Sequence, residues 1–209
     1  MRHSYIYFLL FLVIASFIGC AETLENDEYS NWKQRNIEYI DSVAAATAYF
    51  INSGVTAGTA LKEDMFRVLS FKLEDSLEWS TSDYVYCKVI EKGVGTESPN
   101  FSDSVKINFR VRLIPTESYP QGLVVDQSYK TSYLDPTINV PRSYAMPKLI
   151  DGMISAMQYM TKGDIWRLYI PYRLGYGSET KTNIPAYSTL IFDVNLISFG
   201  APGNPIPLN

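Results

Sequence analysis

Two alternating runs near the C-terminus constrain this chain more than anything else in it. Trp166, Leu168 and Ile170 alternate with Ile165, Arg167 and Tyr169, and a period of two marks a strand. Pro171 stops the run, because proline has no N–H to give to a ladder. A Gly175-Tyr176-Gly177 turn and a polar loop ending in Ile184-Pro185 follow. Then Leu190, Phe192, Val194 and Leu196 alternate with Ile191, Asp193, Asn195 and Ile197, a second strand. Two strands thus flank one loop that carries an aromatic hydroxyl and an Ile-Pro tip, and neither histidine nor cysteine.

Further elements read the same way. Val105, Ile107, Phe109, Val111 and Leu113 alternate with Lys106, Asn108, Arg110 and Arg112, the cleanest half-buried strand in the chain. Tyr84 to Glu91 is a strand with Val85, Cys87 and Val89 on one face, closed by Gly93-Val94-Gly95. Cys87 there is a small hydrophobe of the core. Leu149, Met153, Met157 and Met160 repeat at helical spacing, and Gly163 can end that helix. Upstream, residues 31–52 read as a helix through Trp32, Tyr39, Val43, Ala46 and Phe50, with Gly54 as a stop. That aromatic stripe could be a homodimer seam or could pack on its own domain. Met65 to Trp79 is strand in part (67–73) and could be helix in part, since period alone does not separate the two.

The C-terminal pattern resembles that of the FKBP-type peptidyl-prolyl cis–trans isomerases. The matching residues are Met160, Gly163, Trp166, Ile170, Pro171, Leu174, Tyr176 and Gly177, then Ile184, Pro185, Thr189, Leu190, Phe192, Asp193, Val194 and Leu196. The segment Gly122 to Ser128 resembles the family's G-x-x-F-D-S-S, and Leu149 to Met160 its V-I-x-G-W-x-x-G-L-x-x-M. The resemblance runs from about Tyr84 to Phe199. It implies an α+β fold: a curved antiparallel sheet of about five strands wrapped on one short helix, Asp151 to Met160, with an N-terminal helical extension. The expected domains are a signal peptide at 1–19, a tether and helical extension at 20–82, the isomerase domain at 83–199 and a Pro-rich tail at 200–209.

The resemblance also implies a site for proline-containing polypeptides. Phe192 would be an aromatic wall, with Leu149, Ile150 and Met153 as floor and Phe109 and Val125 as further walls. Tyr176 would offer its hydroxyl to a substrate carbonyl and Ile150 its backbone N–H. Ile184 would sit on the rim, and Asp126 would face the carbonyl of the bond being twisted. Val125 and Met153 stand where the family has phenylalanine and tryptophan. Phe109 lacks the hydroxyl that would orient Asp126. These departures leave a less rigid cup, so weak catalysis and a non-catalytic peptide-binding or chaperone module are both readings of this sequence.

Targeting and composition bound the rest. Arg2 precedes an apolar run from Ile6 to Ile18, shorter than the ~20 residues a spanning helix needs. It ends in Gly19-Cys20, which resembles a bacterial lipoprotein signal with Cys20 as the lipidation site, and that reading places the protein in the cell envelope on a membrane anchor; a plain secretory signal or an uncleaved anchor is the other reading of the same run. His3 is the single histidine and would leave with the signal. No Ser-His-Asp triad, Cys-His pair or His-ligated zinc is then available; only a carboxylate-only metal or glycosidase site would remain. No cofactor and no metal are expected. The net charge of −4 gives no footprint for nucleic acid.

Overall fold

The computed structural model describes residues 27–52, 65–74, 79–131, 138–204 and 206. The signal segment, Cys20 and most of the tether lie outside the described residues, as does the side chain of Phe50. The chain divides into two units, Met1–Ser30 and Asn31–Asn209, and every strand and α-helix described below belongs to the second.

The elements of that unit run α1 (Trp32–Asn52), β1 (Met65–Leu69), β2 (Tyr84–Glu91), β3 (Ser104–Arg112), β4 (Val124–Gln127), β5 (Arg142–Ala145), α2 (Asp151–Met157), β6 (Ile165–Ile170) and β7 (Leu190–Gly200). The strands form one 7-stranded sheet in the order β1-β2-β6-β7-β3-β4, with β5 also on β3. Every pairing is antiparallel. The free edge of β3 is shared: β5 pairs its first half from Ser104 to Ile107, and β4 its second half from Arg110 to Arg112. A bulge in β7 between the partners of Lys106 and Ile107 leaves Ile197 unpaired, a local break in the ladder.

The alternation puts two different surfaces on the sheet. Val85, Cys87, Trp166, Leu168, Ile170, Leu190, Val194 and Leu196 are buried with Met153, Ile154 and Met157 of α2. Gly152 makes that contact possible, because a Cβ there would lie 2.3 Å from Ile170 Cγ2. On another patch, Ile40 and Val43 of α1 pack on Tyr86, with Tyr39, Met65, Tyr84 and Tyr169 around them. Between strands, the Asp164 carboxylate accepts from the Thr161 and Gly93 N–H groups, both at 2.7 Å, and from Lys92 Nζ at 3.0 Å. It fastens the loop after β2 to the turn before β6.

Several expectations need correction. The sheet has seven strands, not about five; β4 and β5 are four residues each, too short to show a period. The sheet also begins before residue 83, because β1 pairs with β2. That strand is Met65–Leu69 instead of 67–73, since the chain turns at Ser70, where Leu73 N–H bonds to Ser70 O. Helix α2 stops at Met157, and Tyr159 and Met160 continue as tighter turns onto Ala156 and Met157 carbonyls. Gly163 instead serves the next turn, at φ 91° with its Cβ position 3.1 Å from Gly93 Cα. The inward stripe of α1 is Trp32, Asn36, Ile40, Val43 and Thr47, all buried, while Ala46 is exposed. Two polar members disguised it: Asn36 Nδ2 donates to Trp32 O, and Thr47 Oγ1 to Val43 O. This stripe therefore packs on the chain's own domain.

Candidate active site

A pocket of about 580 Å³ opens between β3, β4, β7, the start of α2 and the β6–β7 loop. Period-two spacing on β3 turns Ile107, Phe109 and Val111 to it, and β7 adds Leu190 and Phe192. Val125 and Asp126 reach it from β4, and Leu149, Ile150 and Met153 from the start of α2. The loop supplies Tyr176 and Ile184. All the polypeptide-binding residues expected from the sequence thus line one cavity; Cys20 lies outside the described residues.

The base is dry. Met153 is 2% exposed, Phe109 5% and Phe192 9%. The Phe109 and Phe192 rings lie 6.2 Å apart at 40°, within the range where aromatic pairs attract. Tyr144 stands at 64° to Phe109, also at 6.2 Å. Ile150 precedes α2 in an extended conformation, and its carbonyl takes the Ile154 N–H at 3.1 Å. The Tyr176 turn is tied by Gly175 and Gly177 N–H groups, both donating to Tyr172 O, with Gly177 at φ 62°. The tip is a tight reversal: Lys181 and Ile184 exchange both backbone hydrogen bonds, at 2.9 and 3.0 Å. Lys148 and Lys181 place cations on the rim.

Asp126 is oriented by a residue the sequence did not single out. Arg142 Nη1 donates to both its carboxylate oxygens, at 3.1 and 3.2 Å, and Nη2 to Gln127 O at 2.7 Å. The same guanidinium sits 5.2 Å from the centre of the Phe109 ring. A hydrogen bond with Tyr144 is the main cause that holds the Arg142 guanidinium above its ordinary pKa; Asp126 adds to it and burial opposes it. Asp126 therefore has a partner although Phe109 carries no hydroxyl. Arg142 and Tyr144 lie on β5, within the stretch 129–148 where no period or motif marked them. Lys148, Lys181, Thr182 and Asn183 also line the pocket unannounced.

The chemistry available here is that of shape and donors. Cys87 is fully buried, and burial pushes its thiol pKa far up, so it offers no thiolate. Among the described residues no cluster of His, Cys, Asp and Glu could hold a metal ion.

The family model for FKBP-type peptidyl-prolyl cis-trans isomerase matches residues 95–197. Peptidyl-prolyl cis-trans isomerase Mip of Coxiella burnetii is 36% identical over 112 residues, 53% of this chain and 43% of that protein. FKBP-type peptidyl-prolyl cis-trans isomerase FkpA of Escherichia coli is 34% identical over 127 residues, 61% of this chain and 42% of that one. A solved peptidyl-prolyl cis-trans isomerase from Pseudomonas syringae aligns over 77% of this chain and 95% of its own, at 22% identity and a TM-score of 0.46. The match takes in less than half the length of either curated relative. The domain that holds this pocket, residues 95–197, is of the FKBP-type peptidyl-prolyl cis–trans isomerase family.

Proposed function

We propose that the protein is a peptidyl-prolyl cis–trans isomerase acting on proline-containing polypeptides of the cell envelope. One observation carries the reading: a buried aromatic base and Tyr176 line one pocket on a family scaffold. An X-Pro bond turns over in tens to hundreds of seconds behind a barrier of roughly 18–20 kcal/mol, because twisting it loses amide resonance. Catalysis requires only that the site hold the twisted amide better than the planar one. The twisted carbonyl is less polar and its nitrogen pyramidal, so the proline ring seats against Phe192, Phe109 and Met153. Tyr176 Oη and the Ile150 N–H hold the flanking carbonyls. Asp126, fixed by Arg142, faces the carbonyl of the turning bond.

Acceleration of cis-to-trans interconversion of a proline peptide by the purified chain, over the uncatalysed rate, tests this. Absence of acceleration, with suppression of aggregation of an unfolded client, favours the binding-module reading that Val125 and Met153 suggest.

Location and assembly belong to the same reading. Gly19-Cys20 after the apolar run supports lipidation at Cys20 and a membrane anchor; Cys20→Ser then releases the protein from membrane fractions. A homodimer contact through α1 falls to its exposed side, with Ala45 and Ala46, since Ile40 and Val43 are committed to the sheet and Trp32 to the β6–β7 loop. Sedimentation against concentration reads it.

A further inference from the structure

The first turns of α1 reach the far end of the pocket loop, about as distant in sequence as two parts of this domain can be. Trp32 Nε1 donates to Ser188 Oγ at 2.9 Å, and Ser188 Oγ donates to Pro185 O at 2.6 Å, next to Ile184. Asn36 Oδ1 accepts the Thr189 N–H at 2.6 Å while its Nδ2 donates to Trp32 O at 2.7 Å, so the amide is held from both ends. Asn36 and Thr189 are both 0% exposed. Lys33 Nζ lies 4.6 Å from the centre of the Tyr187 ring. Tyr187 itself is held at φ 63°, a region uncommon outside glycine, and its N–H donates to Gly177 O at 2.8 Å, beside Tyr176.

Two branches thus run from one helix end into the site: Trp32 to Ser188 to the Ile184-Pro185 rim, and Lys33 to Tyr187 to the Tyr176 turn. The apolar contacts of Ile40 and Val43 with Tyr86 lie elsewhere on α1 and bind the helix to the sheet. The polar contacts go to the loop. Thr189 precedes the β6–β7 ladder, which begins at the Ile170–Leu190 pair, so Asn36 supplies its buried N–H with an acceptor.

We infer that α1 clamps the pocket loop: Trp32 is a positioning residue for Ile184 and Lys33 for the Tyr176 turn, while Asn36 holds Thr189 at the loop's end. The structural part stands independently; its catalytic consequence rests on the isomerase reading.

Amide exchange and kinetics on the full chain test it together. Trp32→Phe keeps an aromatic side chain, though smaller than the indole, and removes one donor; Ser188→Ala removes its acceptor with little loss of packing. Each variant is expected to speed exchange of the Tyr187 and Ile184 amides by about three- to tenfold, the range of one neutral hydrogen bond. Each is expected to lower kcat/KM, Ser188→Ala at least as much as Trp32→Phe because it also loses the bond to Pro185 O, and adding Trp32→Phe to Ser188→Ala changes little further, because the Trp32–Ser188 bond is already gone. Val43→Ala, which loosens α1 away from the loop, lowers the unfolding midpoint but leaves those amides and kcat/KM within about twofold. Unchanged Tyr187 and Ile184 exchange in both Trp32→Phe and Ser188→Ala overturns the clamp. So does an equal loss of kcat/KM in Val43→Ala. If wild type shows no isomerisation at all, the isomerase reading falls while the exchange data still decide the clamp.

Discussion

Arg142 shows how a single side chain can matter for chemistry and little for stability. Its ion pair with Asp126 is half in water, with side-chain exposures of 45% and 51%, and such pairs contribute about 0–1 kcal/mol. Yet it fixes the carboxylate that, in the proposed mechanism, faces the turning bond. Arg142→Ala is therefore expected to change the unfolding free energy by less than about 1 kcal/mol and to lower kcat/KM, a split that urea titration and peptide kinetics read side by side. Asp193 behaves in the opposite way. It faces Arg167 across the β6–β7 ladder, and bonds it at 2.6 and 3.0 Å, with Arg112 at 2.7 Å. Burial would raise its pKa, but the hydrogen bonds from Arg167 and Arg112 outweigh burial and hold the carboxyl below the usual range. With a folded value below the unfolded ~3.9, this stabilisation is fully present above about pH 5 and is lost as pH falls through the folded value. Asp193→Asn leaves two arginines facing a neutral amide and is expected to cost up to about 3–5 kcal/mol at pH 7. The lower end is expected because Arg167 is 38% exposed. The gap between variant and wild type in urea unfolding narrows toward pH 3; a gap that stays constant would show that the carboxylate charge is not its cause.

At the scale of elements, α2 holds the floor of the pocket through a glycine. By propensity alone, Gly152→Ala should stabilise a helix by about 1 kcal/mol. The new Cβ would stand 2.3 Å from Ile170 Cγ2, and Ile170 is fully buried in β6. Overpacking of this kind costs about 1–3 kcal/mol, so the variant is expected to be less stable, with Met153 displaced one residue away; thermal unfolding gives the sign. What the sequence showed at this scale follows from length. The runs at 105–113, 165–170 and 190–197 were legible because each is long enough to display a period of two with one buried face. The segments of β4 and β5 are not, and the burial of β5 runs exposed, exposed, half-buried, half-buried. Its residues Arg142 and Tyr144 enter the site through pairing with β3, which no local pattern announces. The pocket residues themselves were legible only through the family motif, since Phe192 or Met153 on an amphipathic element is otherwise ordinary core. The inward stripe of α1 was partly hidden because Asn36 and Thr47 are polar yet satisfied inside their own helix and by Thr189.

For the unit from Asn31 onward, the helix that looked like an extension is part of the packed domain. Tyr86 is 0% exposed beneath α1 and Met65, and β1 completes the edge of β2. A fragment of residues 83–209 would bare that tyrosine and an unpaired strand edge, which invites aggregation. It is expected to lose several kcal/mol and to show no sharp cooperative transition, measured by urea unfolding against residues 21–209. An equally stable fragment would return α1 and β1 to the status of appendages. The fold so assembled puts Tyr176 on the wall of a pocket with a buried aromatic base, and the proposed catalysis turns on its hydroxyl. Tyr176→Phe removes the hydroxyl and almost no packing, unlike Phe192→Ala, which would open a cavity costing about 3–5 kcal/mol. The decisive measurement is the rate of cis–trans interconversion of a proline peptide by wild type and Tyr176→Phe, with unfolding followed in parallel. Acceleration by wild type is predicted, with a fall of up to about tenfold in the variant from one lost hydrogen bond, and nearly equal stabilities. Acceleration that is identical in the two proteins, or absent from both, would contradict a catalytic hydroxyl at this site.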